Sequence, residues 1–294
     1  NKIDLVDFDQ GRFREVEAQL RQVGARLGGA DITVIPVAAK LGDNVVHRST
    51  NTPWYEGPAL LEHLESVELT APHAHARSLR LPVQWVSRPS PAQRRRYAGR
   101  LAAGTLSVGD SVVSLPAGTR STVTAVDTLD DERPIAVAPL SVSIELADDI
   151  DVGRGDVFVS GNDDAVLPVL AREIDATVCW FRDTPLRAGD RLALKQGTRT
   201  VRATVQALHS RLDPETLDEI DNPVDLVLND IGSVTLRTSS IVVADPYSEN
   251  RDSGAFILID ESSNDTVGAG TIVEAREVKP GEQNRNDIRW HPSS

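Results

Sequence analysis

The chain opens Asn1-Lys2-Ile3-Asp4, and the types and spacing of these residues suit recognition of a purine edge. An ionised carboxylate is purely an acceptor, so Asp4 can take two hydrogen bonds from adjacent donors, as the ring N–H and exocyclic amino group of guanine present them. Adenine offers no such pair. A polar group left unpaired in a site of this kind costs about 1–3 kcal/mol, enough to separate one base from another. Asn1 would bond the base from another edge and brace the loop, and the Lys2 stem would lie over the ring. Alone, the tetrapeptide is a weak signal, because so short a match also arises by chance on a solvated turn.

Such a loop has to be held by regular structure. From Asp9 to Gly29 the apolar residues Phe13, Val16, Leu20, Val23 and Leu27 recur at steps of three and four, which places them on one stripe of a helix that Gly28 and Gly29 end. Ile32 to Val37 is a short β-branched run with the pattern of a buried parallel strand. It leads into a second loop, Ala38-Ala39-Lys40-Leu41-Gly42-Asp43-Asn44. Gly57-Pro58 then predicts a second helix with Pro at its first position, and Leu60, Leu61, Leu64 and Val67 form its apolar face. Helix, strand, loop and helix make half of an α/β unit.

From Leu81 onward the periodicity changes. Val142, Ile144 and Leu146 alternate with Ser143 and Glu145, Val234 and Leu236 flank Thr235, and turn residues such as Pro116-Ala117-Gly118 and Ala188-Gly189-Asp190 separate the runs. Many short strands with almost no helical stripe predict closed or sandwiched antiparallel sheet. Ser160-Gly161-Asn162-Asp163-Asp164 reads as a break between two β-domains. The expected organisation is therefore a partial α/β domain over 1–75, β-barrels over 76–162 and 163–277, and a linker or tail over 278–294.

The 294 residues carry 44 acidic and 31 basic side chains, a formal net charge of −13, which excludes a general nucleic-acid binder held by phosphate neutralisation. No run approaches the ~18 apolar residues of a membrane span. With one cysteine, Cys179, and no Cys/His cluster at zinc spacing, the chain reads as cytoplasmic, without a disulfide or metal site. Methionine is absent even at the first position, so the sequence is expected to be a fragment or processed piece of a longer product.

The two loops together, with Asn51-Thr52-Pro53-Trp54-Tyr55-Glu56-Gly57-Pro58 after them, resemble the translation-factor class of GTPases, in which Ser commonly stands where Ala38 is. The resemblance implies a P-loop GTPase domain and a base site formed by Asn1, Lys2, Asp4, Ala38, Ala39 and Lys40, with a backbone N–H of Ala39 meeting the guanine carbonyl. Leu81-Pro82-Val83-Gln84-Trp85-Val86, Arg88-Pro89, Arg96-Tyr97-Ala98-Gly99, Asp149-Ile150-Asp151 and Arg154-Gly155-Asp156 narrow it. With Ser253 to Asp260 and Asn264 to Gly270, they resemble the large GTPase subunit of bacterial sulfate adenylyltransferase. That resemblance implies GTP and Mg as cofactors of the complete protein. It also implies a small catalytic partner subunit that transfers AMP from ATP to sulfate, so no catalytic side chain is assigned to this chain. Glu282 to Pro292 resembles the joint to an adenylylsulfate kinase domain in fused versions. No Gly-Lys pair occurs, and the D-x-x-G at Asp265 to Gly268 comes too late to be a magnesium-side switch. By itself the segment is expected neither to bind GTP tightly nor to hydrolyse it. A tRNA-carrying elongation factor and an interaction module with vestigial base loops are the competing readings.

Other residues have bland readings that weigh more. His73 and His75 suit a hinge segment, Arg94, Arg95 and Arg96 a solvated loop, Cys179 buried packing, and Asp148, Asp149 and Asp151 an acidic turn. Trp54 and Tyr55 are read equally as an exposed contact and as packing against the first barrel.

Overall fold

The computed structural model describes residues 1–26, 32–67, 78–88, 90, 94–128, 134–213 and 216–278. His73, His75, the helix end at Leu27 to Gly29 and the segment 279–294 lie outside the described residues. Contacts divide the chain into two units, Asn1–Ala71 with Glu215–Leu217, and Pro72–Pro214 with Asp218–Ser294.

Among the described residues the first unit has a 3-10 turn, Ile3–Val6, and two helices, α1 (Gln10–Arg26) and α2 (Leu60–Ser66). Helix α1 follows the expected periodicity, yet its stripe is only partly covered: Phe13 and Val16 are half-buried, Leu20 and Val23 exposed. Helix α2 begins two residues later than Pro58 suggested. Ala59 is the N-cap residue, and its N–H donates to the Glu62 carboxylate (3.3 Å). Leu61, Leu64 and Val67 on α2 are exposed. The expected strand Ile32 to Val37 belongs to no sheet among the described residues. A parallel strand needs a neighbour to accept its slanted hydrogen bonds, and among the described residues the backbone of this run makes one bond to other backbone, Ile3 N–H to the Val37 carbonyl (3.2 Å).

The second unit is built from short antiparallel strands, as the alternation predicts. Nine lie in its first half: β1 (Arg80–Pro82), β2 (Trp85–Ser87), β3 (Arg96–Arg100), β4 (Thr105–Ser107), β5 (Ser111–Leu115), β6 (Thr119–Asp127), β7 (Ile135–Val137), β8 (Ser141–Leu146) and β9 (Val157–Ser160). Seven pair in the order β1-β9-β5-β6-β8-β3-β2, and β4 pairs with β7. In β8 the alternation is literal: Val142, Ile144 and Leu146 are buried while Ser143 and Glu145 face outward. Gly118 closes the β5–β6 hairpin at φ +76, where a Cβ is disfavoured. Inside, Tyr97 meets Phe158 edge to face (5.4 Å) and donates its hydroxyl to the Ile150 carbonyl (3.0 Å); burial pushes its phenol above the ordinary value.

The remaining strands are β10 (Val169–Trp180), β11 (Arg191–Gln196), β12 (Arg199–Leu212), β13 (Glu219–Asp221), β14 (Ile231–Ala244), β15 (Ala255–Ile259) and β16 (Thr266–Glu277). They run β11-β15-β16-β10-β14-β12-β13, and a further β11–β12 pairing closes six of them into a barrel around Ile174, Leu194, Leu236 and Leu258. Each fully buried side chain of this size contributes about 1.5–3 kcal/mol. Thr235 interrupts the alternation of β14: it is buried, but its hydroxyl is satisfied by Asp175 (2.5 Å) and by His209 Nε2 (2.7 Å). Cys179 departs from its expected packing, because Val178 and Trp180 take the inner face and leave it half-buried on the outer one.

A buried ion pair joins the two halves of this unit. Arg80 in β1 donates from Nε and Nη2 to the two carboxylate oxygens of Asp245 (3.0 and 2.9 Å), and from Nη1 to the carbonyls of Leu79 (3.0 Å) and Val166 (3.1 Å). Ser253 donates a further bond to Asp245 (2.5 Å). The bidentate geometry and the extra bonds offset the desolvation that burial of two charges costs. Arg80→Met should therefore destabilise the second unit by about 3–5 kcal/mol in denaturant unfolding, whereas Arg80→Met with Asp245→Leu should be near neutral.

The arginine cluster is not a solvated loop. Arg94 donates to the carbonyls of Leu146 and Ala147, Arg95 pairs with Asp149 (3.2 Å), and Arg96 pairs with Asp127 and Glu145. In the turn after β15, Asp260 accepts from the Ser262 side chain, the Ser263 N–H (2.9 Å), Arg182 (2.6 Å) and the Ser262 N–H (2.9 Å), which hold its carboxyl well below the usual range. A carboxylate depressed in the folded state contributes stability at pH values above its unfolded value, and that contribution fades as pH falls through the folded value. Thermal unfolding of wild type and Asp260→Asn should differ at pH 7 and converge as the pH drops well below 4.

Candidate functional site

The two loops singled out in the sequence lie together. Lys2 sits in the left-handed region at φ 68, which turns the chain back so that Ile3 is buried and its N–H reaches the Val37 carbonyl (3.2 Å). The Asn1 Oδ1 accepts hydrogen bonds from the N–H groups of Lys2 (2.7 Å) and Ala39 (3.2 Å). One side-chain oxygen therefore spans both loops, across 38 residues of sequence. The Ala39 N–H, which the resemblance assigns to the guanine carbonyl, is engaged by Asn1 in this structure and could serve a base by sharing its hydrogen.

Asp4 is half-buried, and no side-chain or backbone group among the described residues donates to its carboxylate. A partly desolvated acceptor without a protein partner fits a ligand that carries two adjacent donors. Lys2, Ala39 and Lys40 are exposed, and Ala38 is fully buried. The residues present thus fit a guanine base. They do not supply a magnesium site: among the described residues no group of three or more His, Cys, Asp or Glu is placed to hold a metal ion.

What holds the second loop was not assigned from sequence. Asn44 is 1% exposed; its Nδ2 donates to the Pro36 carbonyl (2.7 Å) and Thr52 Oγ1 (2.9 Å), and its Oδ1 accepts from the Ser49 N–H (2.7 Å). Asp43 accepts from Asn51 Nδ2 (2.9 Å). Gly42, at φ +89, lets its N–H turn back to the Ala38 carbonyl (2.8 Å). The Gly-Asp-Asn run and the following Asn-Thr were legible only as carriers of the resemblance, and the fold shows that they knot one loop.

Within the first unit Trp54 is half-buried against α1. Its ring lies 5.2 Å from Phe13 of α1, and its Nε1–H donates to the Phe8 carbonyl (3.1 Å), bracing the far end of the base loop. The indole finds both an apolar face and a hydrogen-bond acceptor inside the first unit. Tyr55 completes the cluster and donates to the Pro58 carbonyl (3.2 Å).

With this geometry in place, comparison with known proteins is informative. A family described as GTP-eEF1A C-terminal domain-like matches residues 173–273. Over 293 residues the chain is 41% identical to the bifunctional enzyme CysN/CysC of Mycobacterium tuberculosis, covering 98% of this chain and 47% of that one. Over 279 residues it is 40% identical to sulfate adenylyltransferase subunit 1 of Aeromonas hydrophila, covering 95% of this chain and 58% of that one. The chain is a homologue of sulfate adenylyltransferase subunit 1. It spans about half the length of the curated relatives it matches. Among solved structures, Sup35 complexed with GDP superposes with a TM-score of 0.63 at 24% identity, over 94% of this chain and 68% of that one. The elongation factor SelB of Methanococcus maripaludis gives 0.56 at 16% identity, over 74% and 47%. These two likenesses establish a translation-factor-type fold. No helix among the described residues is long and apolar enough to cross a membrane.

The knot around Asn44 makes a direct test of how the second loop is held. Asn44→Ala strands the Pro36 carbonyl and the Ser49 N–H and puts a Cβ residue without a side-chain amide at φ +55. It should lower the local stability of residues 36–52 by roughly 2–4 kcal/mol in amide hydrogen exchange. Asn44→Gly, which accepts that backbone angle, should recover about 1–2 kcal/mol of the loss.

Proposed function

We propose that this chain is part of the regulatory GTPase subunit of a sulfate adenylyltransferase. In the complete protein, hydrolysis of GTP, bound with Mg, drives a smaller partner subunit to transfer AMP from ATP to sulfate, forming adenosine 5'-phosphosulfate. The observation that carries this reading is identity of about 40% running through the base loops and both strand systems, not one of them alone. Sulfate is a weak nucleophile and the mixed anhydride lies uphill, so coupling to a second hydrolysis has a thermodynamic purpose. Transmission to the partner requires elements that contact it differently in two states. A fused adenylylsulfate kinase belongs to the same proposal; relatives named bifunctional, CysN/CysC and NodQ, support it.

Within that function, Asn1, Lys2, Asp4, Ala38, Ala39 and Lys40 form the base-recognition part of the nucleotide site. Asp4 receives the two donors of guanine, Asn1 fixes the loops, and the Lys2 and Lys40 stems flank the ring. An elongation factor that carries aminoacyl-tRNA is favoured less, because likeness to Sup35 and SelB at 24% and 16% identity reaches only the fold. A net charge of −13 also opposes a phosphate backbone.

Base specificity tests the site assignment. In the full-length gene product, Asp4→Asn replaces an acceptor with an amide that can donate to a carbonyl at the same position of the base. The variant should lose guanine-nucleotide affinity by about 10- to 100-fold, the worth of one to two mispaired polar contacts, and gain relative affinity for xanthine nucleotides. Equal binding of GTP by wild type and Asp4→Asn would remove Asp4 from the site.

A further inference from the structure

The outer face of the first strand system carries a trough that the base loops do not use. Strand register places Trp85 of β2 opposite Ala98 of β3, Ala98 opposite Ser143 of β8, and Ser143 opposite Asp127 of β6. Residues in register on neighbouring strands share a face. Tyr97, Val142 and Ile144 take the inner face, so this row points outward. Two small side chains therefore form a floor between an indole wall and a carboxylate wall. The cavity measures about 400 Å³, with Ser141 and Arg154 also lining it. From Trp85 to Asp127 the row crosses three strand spacings, about 14 Å at ~4.8 Å each, the length of roughly four extended residues.

Charge selects the occupant. Two of the side chains that line the trough are charged. Asp127 is already paired with Arg96. Arg154 donates from Nη1 to the Gln84 carbonyl (2.8 Å), and no carboxylate among the described residues pairs with it. A chain of net charge −13 thus presents a guanidinium that no carboxylate among the described residues compensates, beside a tryptophan that is 66% exposed. Trp and Arg are the residue types in which interface energy concentrates, and an open floor of this length suits an extended segment rather than an enclosed small molecule.

We infer that the trough seats an extended, carboxylate-bearing segment of the partner subunit. An apolar side chain of that segment lies on the Trp85 ring, its carboxylate meets Arg154, and Ser141 and Ser143 offer hydroxyl hydrogen bonds. The inference rests on the proposed function for the existence of that subunit, and it adds the place and the chemistry of the contact.

The test uses the full-length gene product and its purified small subunit, with affinity read by calorimetry at physiological salt. Trp85→Ala should weaken the complex about 30-fold, the effect of an interface hot spot, and Trp85→Phe should restore most of it. Ser143→Tyr, which fills the floor, should weaken it comparably, and Arg154→Gln should flatten the salt dependence of association. All three positions face outward, so thermal unfolding should stay near wild type. Independently of any variant, hydroxyl-radical oxidation of Trp85 should be suppressed in the wild-type complex. A wild-type complex that leaves Trp85 open to oxidation, or that binds Trp85→Ala and Ser143→Tyr unchanged, overturns the trough and leaves the proposed function standing. Self-association that depends on Trp85 while partner affinity is intact overturns it in favour of a second copy. Failure of the wild-type proteins to associate at all overturns both.

Discussion

The end of the chain proposed to read the base depends on the hydrogen bonds of two asparagine side chains. Asn44 uses donors and acceptor alike on three separate stretches of backbone and side chain, at Pro36, Ser49 and Thr52, and it does so out of contact with water. An amide that competes with water gains about 1 kcal/mol per bond, but a buried carbonyl or N–H that loses such a partner costs more than the bond contributed. Asn1 then connects this stiffened loop to the first one through Ala39. In the first unit the described residues form no extended sheet, so these contacts, together with Trp54 on Phe8 and Phe13, determine where the Asp4 carboxylate stands.

The second unit is held differently. Its strands bury alternate side chains in closed or curled sheets, and no single polar contact fixes their positions. The exception is Arg80 with Asp245, where a charge pair nearly free of solvent joins β1 to the end of β14. Arg88 with Asp149 or Arg202 with Glu261 look similar as distances, but their side chains are 39% to 77% exposed, and such pairs contribute little. The buried pair adds specificity of docking more than stability: hydrophobic residues of similar volume could replace it at small cost, but they would not select one relative arrangement through two directional bonds. A small apolar cluster of Leu115, Val159 and Val243 lies across the same junction, so directional and non-directional contacts act together there.

Much of this was legible in the sequence where one local rule dominates. The alternation of Val142, Ile144 and Leu146 predicts the inner face of β8 because a strand has a strict period of two, and Pro116-Ala117-Gly118 predicts a turn because Gly118 must adopt a positive φ. That the two loops at Asn1 and Ala39 belong together was legible through the resemblance their residues carry. Residues whose state is set by distant partners were not. Ile32 to Val37 has the composition of a buried strand, but strand pairing is a property of two segments, and no second one is present among the described residues of the first unit. Arg94 to Arg96 look like a solvated run until Leu146, Asp149, Asp127 and Glu145 are brought beside them by the β3–β8 pairing. Cys179 alternates away from the core for the reason that Val178 does not, and a sequence flanked by apolar residues does not reveal which parity is inside.

The proposed base site would divide the labour of nucleotide recognition in a way that bears on function. Contacts to a base edge discriminate, since each mispaired group costs a defined 1–3 kcal/mol, but they add little affinity when water competes for the same bonds. Affinity for a nucleoside triphosphate comes from cradling its phosphates with backbone N–H groups and cations, and this chain has no Gly-Lys pair to begin such a loop. A base site of this kind therefore specifies which nucleotide is read without deciding how tightly it is held. The two strand systems bury apolar cores of their own. In the proposed GTPase a change at the phosphates would be transmitted only if something rigid carried it, and the buried Arg80–Asp245 junction ties the two strand systems together. An outward row such as Trp85 to Asp127 on that body would move as one piece, which is what a partner needs in order to sense a change at a distance.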